Sequence, residues 1–178
     1  AVAYEVENWP RWVPLCSAAE SLRTLGAMER TCWTQFDLPM MRRCAVLHWS
    51  LSDCLAEGQC ILLLGSSLDE TEIQLPHAAA GSTFANFRAI KILIRPKSKT
   101  AAEISWLVNV DLKAKLPQTL ISIVTKKVAG AILSLLVREA QKLTKDPENP
   151  QLRRIEKRDF YRVVRDLIQK YIEMYGEE

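Results

Sequence analysis

Apolar and polar residues alternate along the stretch from Ile104 to Leu112. One set of alternate positions is entirely apolar and comprises Ile104, Trp106, Val108, Val110 and Leu112. A period of two is typical of a β-strand, so we expect these side chains to form the buried face of one. Leu116 and Pro117 end this strand, because proline cannot donate to a ladder but suits the first turn of a helix.

Beyond Pro117 the spacing of the apolar residues changes to three and four. The residues with this spacing are Leu120, Ile121, Val124, Val128, Ala131, Ile132 and Leu135. They form one broad stripe, which predicts a long amphipathic helix. Because this helix follows a run of strands, we expect it to lie across a curved sheet.

The segments before residue 104 predict further strands joined by short turns. They are a hairpin of Glu20–Leu25 and Met28–Phe36, an alternating strand Ala45–Leu55, a strand Cys60–Leu68 buried on both sides, and Phe87–Arg95. The residues up to Ser17 predict a short helical segment broken by Pro10 and Pro14, and 75–83 predict a loop. About six sequential strands favour an antiparallel meander, so the predicted fold class is α+β.

A cluster of helix-breaking residues, 146–150, predicts a boundary between residues 1–145 and 146–178. Arg153–Tyr175 then predicts an additional amphipathic helix with Phe160, Val164, Leu167, Tyr171 and Met174 on one stripe. Acidic residues dilute the positive charge of its other faces. We therefore favour packing on this protein or on a protein partner over membrane contact for this helix, and both packing partners remain open.

Composition excludes several classes of function. The formal net charge of +3 in 178 residues does not indicate nucleic-acid binding. The five cysteines, Cys16, Cys32, Cys44, Cys54 and Cys60, contain no C-x-x-C pair, so neither a metal site nor a cofactor is predicted. Unpaired thiols in strand segments usually behave as small buried apolar groups. They favour a reducing compartment, so we expect a cytoplasmic protein that contacts membranes only peripherally.

Four segments resemble the StAR-related lipid-transfer (START) domain, a helix-grip fold of the Bet v 1-like superfamily. Glu5–Leu15 resembles the segment that carries a Trp-x-Pro motif in that family, and Phe36–Pro39 followed by Arg43 resembles its Pro…Arg-Asp turn, with Cys44 in place of Asp. Phe87-Arg88 with Ile94–Pro96 resembles its Val-Arg…Pro strand. Val110–Pro117 resembles the start of its last helix, with Ala114 in place of glycine.

The resemblance covers residues 1–145 and implies a sheet that grips one long helix around a lipid-binding tunnel. The first helix and first three strands of the family have no counterpart here, which favours the interpretation that the chain is a piece of a longer protein. The site residues expected in the tunnel are Arg88, Arg43, Trp49, Ile90, Ile92, Trp106, Val108, Leu120, Val124, Val128 and Ile132. A solid core made of the same apolar side chains is the alternative.

Two arginines and one histidine have open roles. By alternation Arg88 shares a strand face with Ile90 and Ile92, so we expect it to point toward the apolar side or its rim. A buried guanidinium must be paired or bind an anion. Arg88 therefore either holds a lipid phosphate or carboxylate, or forms an internal salt bridge, or faces solvent at the end of the strand. Arg43 has the same interpretations. His48 has no evident catalytic partner and is interpreted as structural.

Three functions follow from these observations. The favoured one is a non-enzymatic module that binds a phospholipid, sterol or related lipid, with transient membrane contact and transfer of the lipid between membranes. The second is an enzyme resembling polyketide cyclases or aromatases, which needs paired acid–base groups inside the cavity. The third is a protein-interaction scaffold with a filled tunnel, which recruits a partner through Arg153–Tyr175.

Overall fold

Seven strands form a single sheet in the computed structural model, which describes residues 2–69, 73–79, 81–115, 129–145, 152, 153, 155 and 158–175. The strands are β1 (Cys16–Thr24), β2 (Glu29–Leu38), β3 (Met41–Cys54), β4 (Cys60–Ser67), β5 (Thr83–Phe84), β6 (Asn86–Pro96) and β7 (Ala102–Asp111). The sheet order is β1-β2-β3-β4-β6-β7, and all these neighbours are antiparallel. The two residues of β5 pair with β3 in parallel.

The helices with described bounds are two 3-10 helices, Val6–Arg11 and His77–Ala79, and three α-helices, and residues 152, 153 and 155 are helical as well. The α-helices are α1 (Leu55–Gly58), α2 (Ala129–Lys145) and α3 (Asp159–Tyr175). The predicted α+β class and antiparallel meander are confirmed. Of the predicted long helix, the described part begins at Ala129, and the residues from Leu116 to Val128 lie outside the described residues.

The two faces of the sheet pack differently. On the inner face, Leu47 and Trp49 of β3 are buried together with Leu63 of β4 and with Ile90 and Ile92 of β6. On the outer face, a smaller cluster around Trp33, Cys44, Val46 and Ala79 packs with the loop that precedes β5. The expectation that β4 is buried on both faces holds only in part, because its outer-face leucines, Leu62 and Leu64, remain half-buried.

The Trp49 indole lies directly on the backbone of Gly65, its cross-strand partner in β4. A Cβ atom at residue 65 would come within 2.8 Å of the Trp49 ring, which is why only glycine fits beneath it. Trp9 of the first 3-10 helix meets the Trp49 ring edge-on, with centroids 5.6 Å apart. This contact attaches the N-terminal segment to the inner face of the sheet.

The last strand is less buried than its alternation predicts. Ile104 and Trp106 are half-buried, but Val108 is 45% exposed and Val110 36% exposed. The prediction of a fully buried face is therefore wrong in the second half of β7. The physical reason is position, because β7 is the last strand in the sheet order and its inner face borders a cavity instead of packed side chains.

A β-bulge interrupts the pairing of β6 with β7 between Phe87 and Ala89. The side-chain hydroxyl of Ser67 accepts a hydrogen bond from the Phe87 amide at 2.9 Å, which compensates for the interrupted ladder. The bulge reverses the alternation that precedes it, so Phe87 turns inward and Arg88 turns outward. Arg88 therefore does not share the face of Ile90 and Ile92 but is exposed on the outer face, which agrees with its solvent-facing alternative.

Helix α3 is attached to the N-terminal segment by a buried carboxylate. Glu5 is 3% exposed, and its Oε1 atom accepts hydrogen bonds from the Tyr161 hydroxyl at 2.5 Å and from Arg158 Nη1 at 2.7 Å. Phe160 stacks on Tyr4 with ring centroids 4.9 Å apart. Burial and the hydrogen bond to Glu5 raise the pKa of Tyr161, because both favour the neutral phenol.

The other end of α3 packs on the turn between β3 and β4. Tyr171 is buried against Leu55 and Ile61, and Val164, Leu167 and Ile168 complete this contact. Met174, predicted on the same stripe, is 57% exposed. The apolar stripe of α3 is thus largely covered by this chain itself.

The cysteines are unpaired, and four of them, Cys16, Cys32, Cys44 and Cys60, are buried. Their packing as small apolar groups agrees with the sequence pattern. Burial raises the pKa of the Cys16 and Cys32 thiols to about 12, because a buried thiolate is poorly solvated.

We predict that Gly65→Ala lowers the free energy of unfolding by about 1–3 kcal/mol, because the new methyl group overlaps a Trp49 ring that is only 2% exposed. Chemical denaturation measures this difference. Gly26→Ala is the matched control: nothing lies within 4 Å of a Cβ there, and we expect a change below about 0.5 kcal/mol. Equal effects of the two substitutions would contradict the proposed contact.

We also predict a loss of stability in alkali. The unfolded chain releases the Cys32 proton near pH 9, whereas the folded chain holds it until about pH 12. Between these values the unfolded state binds fewer protons, so the free energy of unfolding falls by about 1.4 kcal/mol per pH unit for this thiol. Denaturation at several pH values above 9 should show a shallower fall in Cys32→Ala. Identical slopes in both proteins would refute the assignment.

Candidate functional site

An apolar cavity of about 170 Å³ lies on the inner face of the sheet, bounded by the N-terminal segment and α2. Strands β2, β3, β6 and β7 supply most of its wall. The residues that line it are Ala3, Trp9, Trp12, Val13, Pro14, Leu15, Phe36, Leu38, Arg43, Leu47, Trp49, Ala85, Phe87, Ile90, Ile92, Trp106, Val108, Val110, Leu112, Ile132 and Leu136. The described residues thus leave an apolar cavity on this part of the sheet.

The wall of the cavity is almost purely hydrocarbon. Among the described residues that line it, Arg43 is the single ionisable one. Besides Arg43, the lining carries the indole N–H groups of Trp12, Trp49 and Trp106, which are buried without a hydrogen-bond partner in the part of the chain that the structure describes. The cavity suits an apolar guest, because burying an unpaired polar group there would be unfavourable.

Arg43 occupies the rim of the cavity, where β3 begins. Its Nε atom donates to the carbonyl oxygen of Leu112 at 2.7 Å, and its Nη1 atom donates to the carbonyl oxygen of Arg42 at 2.8 Å. The first of these bonds ties the start of β3 to the end of β7. Arg43 therefore serves a structural role that the sequence left open, and it also lines the cavity.

A polar surface depression adjoins this rim. Arg43 and Leu38 line both the apolar cavity and the depression. The depression also contains Arg42 and the segment 81–83, which includes the hydroxyls of Ser82 and Thr83. Arg42 is ion-paired with Asp37 at 2.8 Å, and this pairing lowers the pKa of Asp37. One end of the cavity thus meets a polar, partly charged surface.

Seven of the predicted site residues come together around this cavity: Arg43, Trp49, Ile90, Ile92, Trp106, Val108 and Ile132. Arg88 does not join them. It lies on the outer face near His48 and Lys91, in a separate shallow depression. Leu120, Val124 and Val128 lie outside the described residues. The placement of the seven agrees with the expected lining, and their role in binding stays a prediction.

Several lining residues were missed by the sequence analysis. Phe87 was missed because the bulge reverses the strand alternation, and Phe36 because β2 is buried on both faces and its apolar residues show no clear period. These two rings lie together, with centroids 6.1 Å apart. Trp9 and Trp12 stood out as apolar residues before two prolines, but nothing in their spacing indicated that they face the cavity.

The titratable groups that an enzyme would need do not converge in the cavity. His48 lies on the outer face, and Asp111 lies at the end of β7. The Lys113 amide donates to Asp111 at 2.9 Å, and the Lys113 ammonium lies 3.2 Å away, so the pKa of Asp111 is lowered. Neither residue lines the cavity in the described part of the chain.

Comparison with known proteins identifies the fold. No family model matches the sequence, and no curated protein matches it significantly. Among solved structures, human STARD10 matches with a TM-score of 0.64 and 14% sequence identity, over 81% of this chain and 59% of that one. Human StAR-related lipid transfer protein 5 matches with a TM-score of 0.63 and 12% identity, over 76% of this chain and 64% of that one.

A bacterial structure matches as well. It is a STAR-related lipid transfer protein fragment from Xanthomonas axonopodis, with a TM-score of 0.58 and 14% identity, over 76% of this chain and 73% of that one. The chain therefore has the START-like helix-grip fold. It spans less than two thirds of the length of the two human structures. None of the described helices has the length and apolar composition required to cross a bilayer.

Proposed function

We propose that this chain is a non-enzymatic lipid-binding module that shelters the hydrocarbon part of a lipid in its apolar cavity and carries it between membranes. The observation that carries this proposal is the cavity wall, in which Arg43 at the rim is the single ionisable residue of the described lining. The START-like fold supports it, because the similar solved structures include proteins named for lipid transfer.

Burial of hydrocarbon supplies enough free energy for such binding. Each methylene group moved from water into an apolar site contributes about 0.8 kcal/mol. The entropic cost of association is at least about 4 kcal/mol, which about five buried methylene groups offset. Each further methylene group that the cavity buries then favours reversible binding, without a strong polar anchor inside.

The enzyme alternative has less support. A cyclase would need two titratable groups that face the bound substrate. Arg88 and His48 lie on the opposite face of the sheet, and Asp111 is held by Lys113 outside the cavity. In the described part of the wall, no pair of acid and base remains for this chemistry.

The scaffold alternative is weakened by the cavity and by the position of α3. An apolar cavity lined by the inner face of the sheet and by α2 argues against a filled scaffold, and Tyr161 and Tyr171 of α3 are buried in this chain. We propose that residues 1–145 form the lipid-binding unit and that α3 braces its N-terminal segment through Glu5. That segment carries Trp9 and Trp12, which line the cavity.

Membrane contact is proposed at the rim of the cavity. Met40, in the turn between β2 and β3, is 93% exposed and has a left-handed backbone with φ of 63°. Leu15 is 38% exposed and lines the cavity, and its carbonyl oxygen accepts a hydrogen bond from the Asp37 amide at 2.8 Å. An exposed methionine beside Arg42 suits the surface of an anionic bilayer.

The first test measures binding. We predict that Val108→Trp weakens the binding of a fluorescent fatty acid or sterol by at least about tenfold, because the larger side chain occupies the cavity. Leu107→Trp is the matched control: Leu107 is 53% exposed, follows the opposite alternation in β7 and does not line the cavity. Equal affinities in the two variants would refute the cavity as the binding site.

A second measurement tests for bound lipid directly. Protein purified under native conditions should carry extractable lipid detectable by mass spectrometry, and less of it should accompany Val108→Trp than Leu107→Trp. A folded protein that neither carries lipid nor binds the fluorescent probes would contradict the proposed function.

We further predict that Met40→Asp slows transfer of a fluorescent lipid between anionic vesicles several-fold and leaves the equilibrium affinity for that lipid unchanged, because the new charge opposes membrane contact without altering the cavity wall. Leu25→Asp is the control, since Leu25 is 45% exposed in the turn between β1 and β2, at the other end of these strands. If both variants transfer lipid at the native rate, the turn at Met40 is not the membrane contact.

A further inference from the structure

We propose that the ligand is an amphiphile with one compact anionic head group, a carboxylate or a phosphate monoester, which Arg43 holds at the rim while the hydrocarbon lies inside the cavity. This inference rests on the proposed function and deepens it by naming the class of ligand and its orientation. It follows from three observations on the wall, the rim and the adjoining depression.

The apolar wall of the cavity determines how the ligand is oriented. No described residue that lines the cavity, apart from Arg43, carries a charge, and the cavity surface is almost wholly hydrocarbon. A charged head group placed deep inside would lose its hydration and meet no opposite charge, only neutral indole N–H donors, which is unfavourable. The head group is therefore better placed where the cavity meets a polar surface. Two polar depressions share lining residues with the cavity, one through Trp12, Val13 and Pro14 and one through Arg43 and Leu38. Of the described residues at these two junctions, only Arg43 brings a charge into the lining of the cavity itself.

Arg43 at the rim favours a negatively charged head group on the ligand. A guanidinium has five N–H donors, and the two hydrogen bonds of Arg43 to carbonyl oxygens leave its Nη2 group for a further acceptor. The neighbouring cations are already compensated, because Arg42 pairs with Asp37 and Lys113 pairs with Asp111. In the described part of the rim, no carboxylate of the protein is paired with Arg43.

The depression argues against a choline head group. A quaternary ammonium is usually recognised by aromatic rings or by an unpaired carboxylate. The described residues of the depression include no aromatic ring, and its one acid, Asp37, is committed to Arg42. The hydroxyls of Ser82 and Thr83 lie in the same depression and suit the oxygen atoms of a carboxylate or phosphate.

The test compares an acid with its neutral ester. cis-Parinaric acid and its methyl ester share one hydrocarbon chain and differ in the charge of the head group, and their fluorescence reports binding. We expect the native protein to bind the acid at least about tenfold more tightly than the ester, because a charge-assisted hydrogen bond exceeds a neutral one. Competition by hexadecyl phosphate against hexadecanoate shows whether a phosphate or a carboxylate is preferred.

Two variants test whether Arg43 causes the preference for the acid over the ester. Arg43→Met keeps an unbranched apolar stem and should reduce the affinity for the acid by about tenfold or more, while the affinity for the ester stays within about twofold of native. Ester binding also verifies that the variant is folded. Arg88→Met is the matched control, because Arg88 is exposed on the outer face of the sheet and does not line the cavity. It should keep the native preference for the acid.

The outcomes separate the two proposals. If the native protein binds acid and ester equally, or if Arg43→Met keeps the preference for the acid, the anionic head group at Arg43 is refuted and lipid binding still stands. The same holds if Arg88→Met abolishes the preference as fully as Arg43→Met does. If neither probe binds to the folded native protein, the proposed function itself is refuted.

Discussion

The contact between the Trp49 indole and the bare backbone of Gly65 is the constraint on which the inner face of the sheet depends. The large ring lies flat across β4 because residue 65 has no side chain, and Trp9 then packs edge-on against it. This stack attaches the N-terminal segment to the sheet and supplies part of the cavity wall. The cavity is thus bounded by rings held in fixed positions, and its shape follows from close packing beside it.

A second set of contacts connects the N-terminal segment to the C-terminal helix α3. Glu5 belongs to the N-terminal segment and is buried beneath α3. Tyr161 and Arg158 donate hydrogen bonds to one of its carboxylate oxygens. Arg30 lies over the Tyr4 ring, 4.2 Å from its centroid. A buried carboxylate that loses its partners is strongly destabilising. The segment that bears Trp9 and Trp12 is therefore held from both sides, by the sheet and by α3.

The cavity combines an apolar wall with a polar rim. Its wall is hydrocarbon, whereas its rim carries Arg43 and opens onto hydroxyl groups and an ion pair. Arg43 also ties β3 to the end of β7 through Leu112, so the cation is fixed in direction as well as in place. An amphiphile matches both environments at once, which is why the chemistry of the site favours a lipid over a uniformly polar or uniformly apolar guest.

The sequence alone determined the class of fold and much of the cavity wall. Alternation in β3 and β6 placed Trp49, Ile90 and Ile92 on one face, because a pleated strand has a period of two wherever the ladder is regular. The helical stripe likewise identified Ile132. The order of these elements, together with short local motifs, was enough to indicate the helix-grip arrangement.

The tertiary structure alone decided the rest. A bulge braced by Ser67 turned Arg88 outward and Phe87 inward, and a bulge depends on the neighbouring strand as well as on its own. The burial of Glu5 by Tyr161 joins residues 156 positions apart, which no local pattern encodes. Whether the apolar faces fill their shared space or leave a cavity depends on how distant side chains fit together. Hydrophobic patterning specifies which side chains face inward, but it does not specify how completely they meet.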